Sequence, residues 1–159
     1  MPDGLHIRVS IADQTLELLD GDTLIRSYPV STSKFGPGSE EGSFKTPLGE
    51  FRICEKFGDG EPLLTIFRSR KPEGLWSPDA PCDADLVLTR ILRLDGLEPH
   101  NANSYERYIY IHGTNHEDAI GSPASQGCIR MHNEHVLDLH DRVPTGIPVT
   151  ISLNASEAP

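Results

Sequence analysis

In the stretch SQGCIRM, residues 125–131, Cys128 stands between Gly127 and an Ile-Arg pair, at the end of a loop rich in Gly, Ser and Pro. A cysteine kept for packing sits among apolar neighbours. This one follows a residue that lets another backbone come close, and a guanidinium stands two positions on. Sixteen residues upstream, His112 closes the apolar run YIYIH and is followed by Gly113. An imidazole near a thiol can take its proton and leave the thiolate, which is the reactive species. Backbone N–H groups around Gly127 and Cys128 could hold a developing oxyanion. The pair therefore points to nucleophilic acyl transfer. No Asp or Asn stands out to orient the imidazole, which makes a backbone carbonyl a candidate.

Such a pair needs a strand to carry the histidine and a loop to fold the thiol back over the strand end. In residues 108–112, alternation places Tyr108, Tyr110 and His112 on one face and Ile109 and Ile111 on the other. A loop follows from Gly113 to Gly127. Asn133 can cap a helix over HNEHVLDLHDRV, with Val136, Leu139 and Val143 near helical spacing and Pro144 as the stop. IPVTISL reads as a last strand with Val149, Ile151 and Leu153 on one face.

Upstream, Leu5, Ile7, Val9 and Ile11 alternate with polar residues as in a half-buried strand. TLELLD, the turn Asp20-Gly21-Asp22 and TLIRSYPVS read as a hairpin leading to a third strand. Residues 32–48 are loop-like, GEFRICEKF reads as a strand, and residues 86–94 form a long β-like run. Residues 61–85, which hold Trp76 and a basic cluster of Arg68, Arg70 and Lys71, read as irregular. The expectation is a mainly β chain with one main helix after Cys128: one domain over residues 1–153 and a short polar tail, 154–159.

The chain has 159 residues, 14 Gly and 13 Pro, which fits one turn-rich domain better than a helical bundle. Its net charge of -10 argues against nucleic acid and anionic membrane surfaces, which require basic footprints. No run approaches membrane-spanning length, and residues 1–13 lack the pattern of a leader. With Met1 as the natural start the expected location is cytoplasmic; with a leader removed it is periplasmic or wall-facing. Of the other cysteines, Cys54 reads as a small hydrophobe in a strand and Cys82 as a loop residue. Cys128, His132 and His135 have spacing that zinc sites use. A closed site needs four ligands, and these histidines also fit a solvent-facing helix start, so no metal and no cofactor is expected. Arg68, Arg70 and Lys71 fit a solvated turn, or a surface receiving carboxylates of an acidic peptide.

HGT at 112–114 followed by SQGCIRM at 125–131 resembles the signature of the YkuD-type L,D-transpeptidase catalytic domain, roughly His-Gly-Thr, a loop, then Ser-His-Gly-Cys-Ile-Arg-Met. FKTPLGEF at 44–51 is similar to the family's Thr-Pro-x-Gly-x-Phe segment, and the likeness runs from about Leu5 to Leu153. The resemblance implies a β-sandwich-like fold. It also implies attack on the third residue of a peptidoglycan tetrapeptide stem, with loss of D-Ala and a thioester on the cysteine. Cys128 would be the nucleophile, His112 the base, and the Gly113 carbonyl the group that holds its tautomer. Arg130 is a candidate for fixing a substrate carboxylate, with Ser125, Gln126, Gly127, Tyr110 and Thr114 as further substrate-binding candidates. Gln126 stands where the family commonly has His, which bears on rate, pH profile and acceptor choice.

The expected partners are peptidoglycan stem peptides or soluble muropeptides, met by a monomer. The leading expectation is a cytosolic L,D-carboxypeptidase that trims tetrapeptide to tripeptide in wall recycling. An exported transpeptidase forming 3-3 cross-links is the alternative within the family, and a non-catalytic binding module for peptidoglycan fragments is the alternative outside enzymes.

Overall fold

The computed structural model describes residues 4–79 and 84–154; Cys82 lies outside them. Ten strands and one α-helix make up the described chain. The strands are β1 (Leu5–Ser10), β2 (Thr15–Asp20), β3 (Thr23–Ser31), β4 (Gly49–Phe57), β5 (Thr65–Arg68), β6 (Lys71–Leu75), β7 (Val87–Gly96), β8 (Tyr110–Gly113), β9 (Ile129–Met131) and β10 (Pro148–Ser152); the helix α1 spans Asn133–Arg142. The fold is mainly β and sandwich-like, as expected. Across the sheet the order is β4-β10-β1-β2-β3-β9-β8-β7-β5-β6, and β4 also pairs with β7. That extra pairing closes the strands from β4 round to β7 into a ring, with the β5–β6 hairpin attached to the start of β7. The pairs β1–β10 and β8–β9 are parallel.

The alternating residues of β1 meet those of β2, β4 and β10 inside the ring. Ile7, Leu16, Leu18, Phe51, Leu92, Ile111, Ile129 and Val149 are fully buried in one cluster. Helix α1 packs on β7 and β8. Val136 and Leu139 anchor it in that core, each contributing about 1.5–3 kcal/mol of apolar burial. Glu134 lies in its first turn and Arg142 in its last, as the helix dipole favours. Val143 is already extended, because the residue before a proline disfavours the helical region.

Several expectations need correction. The cap position of α1 belongs to His132, and Asn133 is the first helical residue. Its backbone N–H is taken instead by the Glu117 carboxylate at 2.7 Å. Residues 65–75, read as irregular, form the β5–β6 hairpin, turned by Ser69 and Arg70 at φ 50° and 67°. The IRM of the motif, to which no element was assigned, forms the short strand β9. Tyr108 lies outside β8 at φ 58° and is 53% exposed, so it does not share the strand face of Tyr110 and His112. Leu153 follows β10 and is 40% exposed, leaving Val149 and Ile151 as that strand's core residues. Among the described residues no helix is long and apolar enough to cross a membrane.

Candidate active site

Parallel pairing of β8 with β9 sets Ile111 beside Ile129 and His112 beside Arg130. Registered residues point the same way. Ile111 and Ile129 therefore face the main core, while Tyr110 and His112 lie on the other face with Arg130. A second apolar cluster covers that face: Tyr110, Ile91 and Phe67, with Phe57, Val87 and Cys128 packed against it. Cys128, one residue before β9, falls level with Tyr110. Its Sγ donates to the Tyr108 carbonyl at 3.3 Å and accepts from the Tyr110 N–H at 3.4 Å. The left-handed backbone of Tyr108 thus serves to turn a carbonyl toward the thiol.

His112 is buried, and its Nδ1 lies 2.5 Å from the Gly113 carbonyl. A carbonyl only accepts, so the proton sits on Nδ1 and Nε2 keeps its lone pair. Burial lowers the His112 pKa against the opposing pull of Asp85 and of the Gly113 bond. Burial also pushes the Cys128 thiol up to about 11; the Tyr110 N–H, Arg130 and Arg107 counteract this, while Asp85 adds to it. Thiol and imidazole both rest neutral, the first able to give a proton and the second to take one.

Gly113 leaves no room for a side chain: a Cβ there would strike the Asn133 Oδ1 and the Leu88 carbonyl. Asn133 is itself buried and fixed on three sides. It accepts from the Thr89 hydroxyl at 2.7 Å and donates to the Thr114 carbonyl at 2.8 Å and to Glu117 at 3.0 Å. Thr114 is fully buried and its hydroxyl accepts from the His116 N–H at 3.0 Å, so it braces the strand end and offers no surface to a substrate.

The loop before the thiol is shaped by its own side chains. Ser125 is buried and donates to the Cys128 carbonyl at 2.6 Å. The Gly127 N–H, expected to be available to an oxyanion, donates to Ser125 Oγ at 3.3 Å. Gly127 has φ 122°, a region reserved for glycine. Its carbonyl accepts from Thr46 at 2.9 Å, and Thr46 in turn accepts from the Ser33 N–H. Thr46 is therefore the tie between the 36–46 segment and the thiol loop. Gln126 is exposed and lines, with Glu41, Phe44, Arg107 and Ile109, the cleft of about 150 Å³ into which Cys128 opens.

Arg130, expected to fix a substrate carboxylate, already has one: its Nη2 lies 2.9 Å from Asp85, and its side chain is 6% exposed. Arg107 was not singled out from the sequence. Its guanidinium donates to the carbonyls of Lys45 at 2.7 Å and Gly38 at 3.4 Å, holding the 36–46 segment over the cleft. Nothing in the loop sequence around Arg107 marks it, because its role depends on a segment some 60 residues away. Of the basic cluster, Arg68 pairs with Glu73, Lys71 is exposed, and Arg70 donates to the Tyr110 hydroxyl at 3.1 Å. Cys54 donates to the Arg93 carbonyl at 3.4 Å. His132 and His135 stack edge to face, 5.1 Å between centroids, and among the described residues no group of three His, Cys, Asp or Glu is arranged for a metal.

The chain is also similar to known proteins in sequence and in fold. The sequence matches the YkuD L,D-transpeptidase catalytic domain over residues 4–151. It is 32% identical over 147 residues to the L,D-transpeptidase-family protein YkuD of Bacillus subtilis (strain 168), and 31% identical over 147 residues to YkuD of Bacillus licheniformis. Each alignment covers 92% of this chain and 65% of the relative, so the chain spans just under two thirds of those proteins' length. An L,D-transpeptidase from Mycobacterium smegmatis superposes with a TM-score of 0.61 at 18% identity, over 94% of this chain and 58% of the other. One from Xylanimonas cellulosilytica superposes with a TM-score of 0.63 at 18% identity, over 94% and 60%. At that identity the likeness is one of fold. A family match over nearly the whole sequence, a shared fold, and a thiol and an imidazole on one strand face lead to one assignment: the chain belongs to the YkuD family of L,D-transpeptidase catalytic domains.

Proposed function

We propose that the protein is a cysteine acyl-transferase acting on peptidoglycan tetrapeptide stems, with Cys128 as nucleophile and His112 as base. One observation carries the reading. The Cys128 thiol is seated between the Tyr108 carbonyl and the Tyr110 N–H on the same face as a buried imidazole whose Nδ1–H is held by Gly113. When a substrate carbonyl enters the cleft, the thiol proton passes to His112 Nε2 and Sγ attacks the carbonyl of the third residue. The Tyr110 N–H donates to the sulfur as its charge builds. His112 then returns the proton to the leaving amine of D-Ala, and a thioester remains on Cys128. Water, deprotonated by the same imidazole, hydrolyses the thioester and releases tripeptide.

Water as acceptor makes the enzyme an L,D-carboxypeptidase, in keeping with the small cleft at the thiol, about 150 Å³ against the roughly 300–1,000 Å³ common for ligand pockets. With that reading goes a cytoplasmic monomer handling soluble muropeptides. The family name of the Bacillus relatives favours a second reading, in which an amine of another stem resolves the thioester; a location outside the membrane would go with it. Mass spectrometry of a disaccharide tetrapeptide incubated with wild type and with Cys128→Ala decides between them. Tripeptide from wild type alone supports the carboxypeptidase. Product only when a second amine-bearing stem is present supports the transpeptidase, and no reaction in either case overturns the enzyme reading.

A further inference from the structure

We propose that Arg107 receives the free C-terminal carboxylate of the peptide whose penultimate carbonyl is attacked by Cys128, and so selects stems whose leaving residue ends the chain. This rests on the acyl-transfer reading above. Arg107 and Cys128 line the same cleft, with Phe44 and Gln126 beside them. Among the described residues no carboxylate lies within ion-pair distance of the Arg107 guanidinium; its hydrogen bonds go to two neutral carbonyls, of Gly38 and Lys45. Glu40 and Glu41 act on it only at longer range, and burial lowers its pKa. A half-buried cation without a carboxylate is an incomplete arrangement, which an anionic ligand group completes.

The other guanidiniums near the thiol are already engaged. Arg130 has Asp85, and Arg93 has Glu55 and lies 3.5 Å from the Tyr105 ring centroid. Arg70 donates to the Tyr110 hydroxyl and sits over the Tyr108 ring, away from the cleft lining. A guanidinium has five N–H donors in a planar fork, so Arg107 can hold the Gly38 and Lys45 carbonyls and still present donors to a carboxylate. The leaving residue's carboxylate is the one anionic group of such a stem that must lie next to the attacked carbonyl.

The test uses binding, so that it does not depend on turnover. Two synthetic stem tetrapeptides, one ending in D-Ala and the other in D-alaninamide, are titrated calorimetrically into Cys128→Ala. The acid is expected to bind at least about tenfold tighter than the amide. In Cys128→Ala/Arg107→Gln the two affinities converge, in Cys128→Ala/Arg107→Lys part of the preference returns, and in Cys128→Ala/Arg70→Gln it persists. Equal binding of acid and amide by Cys128→Ala overturns the proposal, even without an Arg107 variant. So does a proportionate loss of both in Arg107→Gln, which would make Arg107 a latch for the 36–46 segment only, or loss of the preference in Arg70→Gln. Failure of wild type to release D-Ala bears instead on the acyl-transfer reading.

Discussion

The resting thiol is expected to be slow. With its pKa pushed up from 9.0 to about 11, Cys128 at pH 7 is ~0.01% thiolate, against ~1% for the same thiol unperturbed. The more basic thiolate is intrinsically more nucleophilic, and with a Brønsted coefficient of about 0.4–0.5 two units return roughly six- to tenfold. Net, Cys128 in the folded, substrate-free protein should react with a small aromatic disulfide roughly tenfold more slowly at pH 7 than in the unfolded chain. The reaction can be followed by the released thiolate, with Cys128→Ala subtracting the contribution of Cys54 and Cys82. The rate should climb through pH 9 and 10 without a plateau near neutrality. His112→Ala should leave this resting reactivity nearly unchanged, because the thiol proton is held by the Tyr108 carbonyl. The same variant should lower acyl transfer by about 10²–10⁴. A fast reaction with a midpoint below pH 8, lost in His112→Ala, would refute the reasoning, since it requires a preformed thiolate–imidazolium pair.

Gly127→Ala forces a side chain into a backbone region that costs about 1–3 kcal/mol, and should lower the urea midpoint while weakening acyl transfer through displacement of the neighbouring thiol. Asn133→Ala removes the shared partner of Thr89, Thr114 and Glu117, and should cost about 1–3 kcal/mol in thermal or urea unfolding. Among the described residues neither ring nitrogen of His140 has a hydrogen-bond partner, and burial, then Lys56 and Arg90, hold its pKa down to about 4. The unfolded chain then binds the extra proton first, so stability should fall by about 3 kcal/mol as the pH drops from 6.5 to 4. Denaturant melts of His140→Phe should show a flatter profile across that window; an unchanged slope would mean another group carries the loss.

Much of the site was legible because its residues alternate. Ile109, Tyr110, Ile111 and His112 divide cleanly between two apolar environments, and period-two alternation reports that. Helix α1 was visible through Val136 and Leu139, since only one side of it meets the core. The short strand β9 was not, because all three of its residues are buried and alternation vanishes in a strand covered on both faces. The β5–β6 hairpin was hidden for the opposite reason: Lys71–Leu75 is exposed throughout, and its turn uses Ser69 and Arg70 where glycine is the usual signal. Charge roles were the least legible. Arg130 stands beside the thiol in sequence, but Asp85 reaches it only through the fold, and Arg107 gains its setting from a segment far upstream.

The placement of β10 also has a consequence for the nascent chain. This strand lies between β1 and β4, and without it those two do not meet, so the ring stays open. Its residues are translated after every residue of the candidate site. One edge of β1 and one edge of β4, whose other edges pair with β2 and β7, must therefore wait until the ribosome has made residues 148–152. Closure then joins sequence-distant partners, the kind of topology that folds in milliseconds to seconds rather than microseconds. A polysome-bound chain stalled before β10 should be sensitive to protease and devoid of thioester-forming activity, with both properties switching together once the last strand emerges.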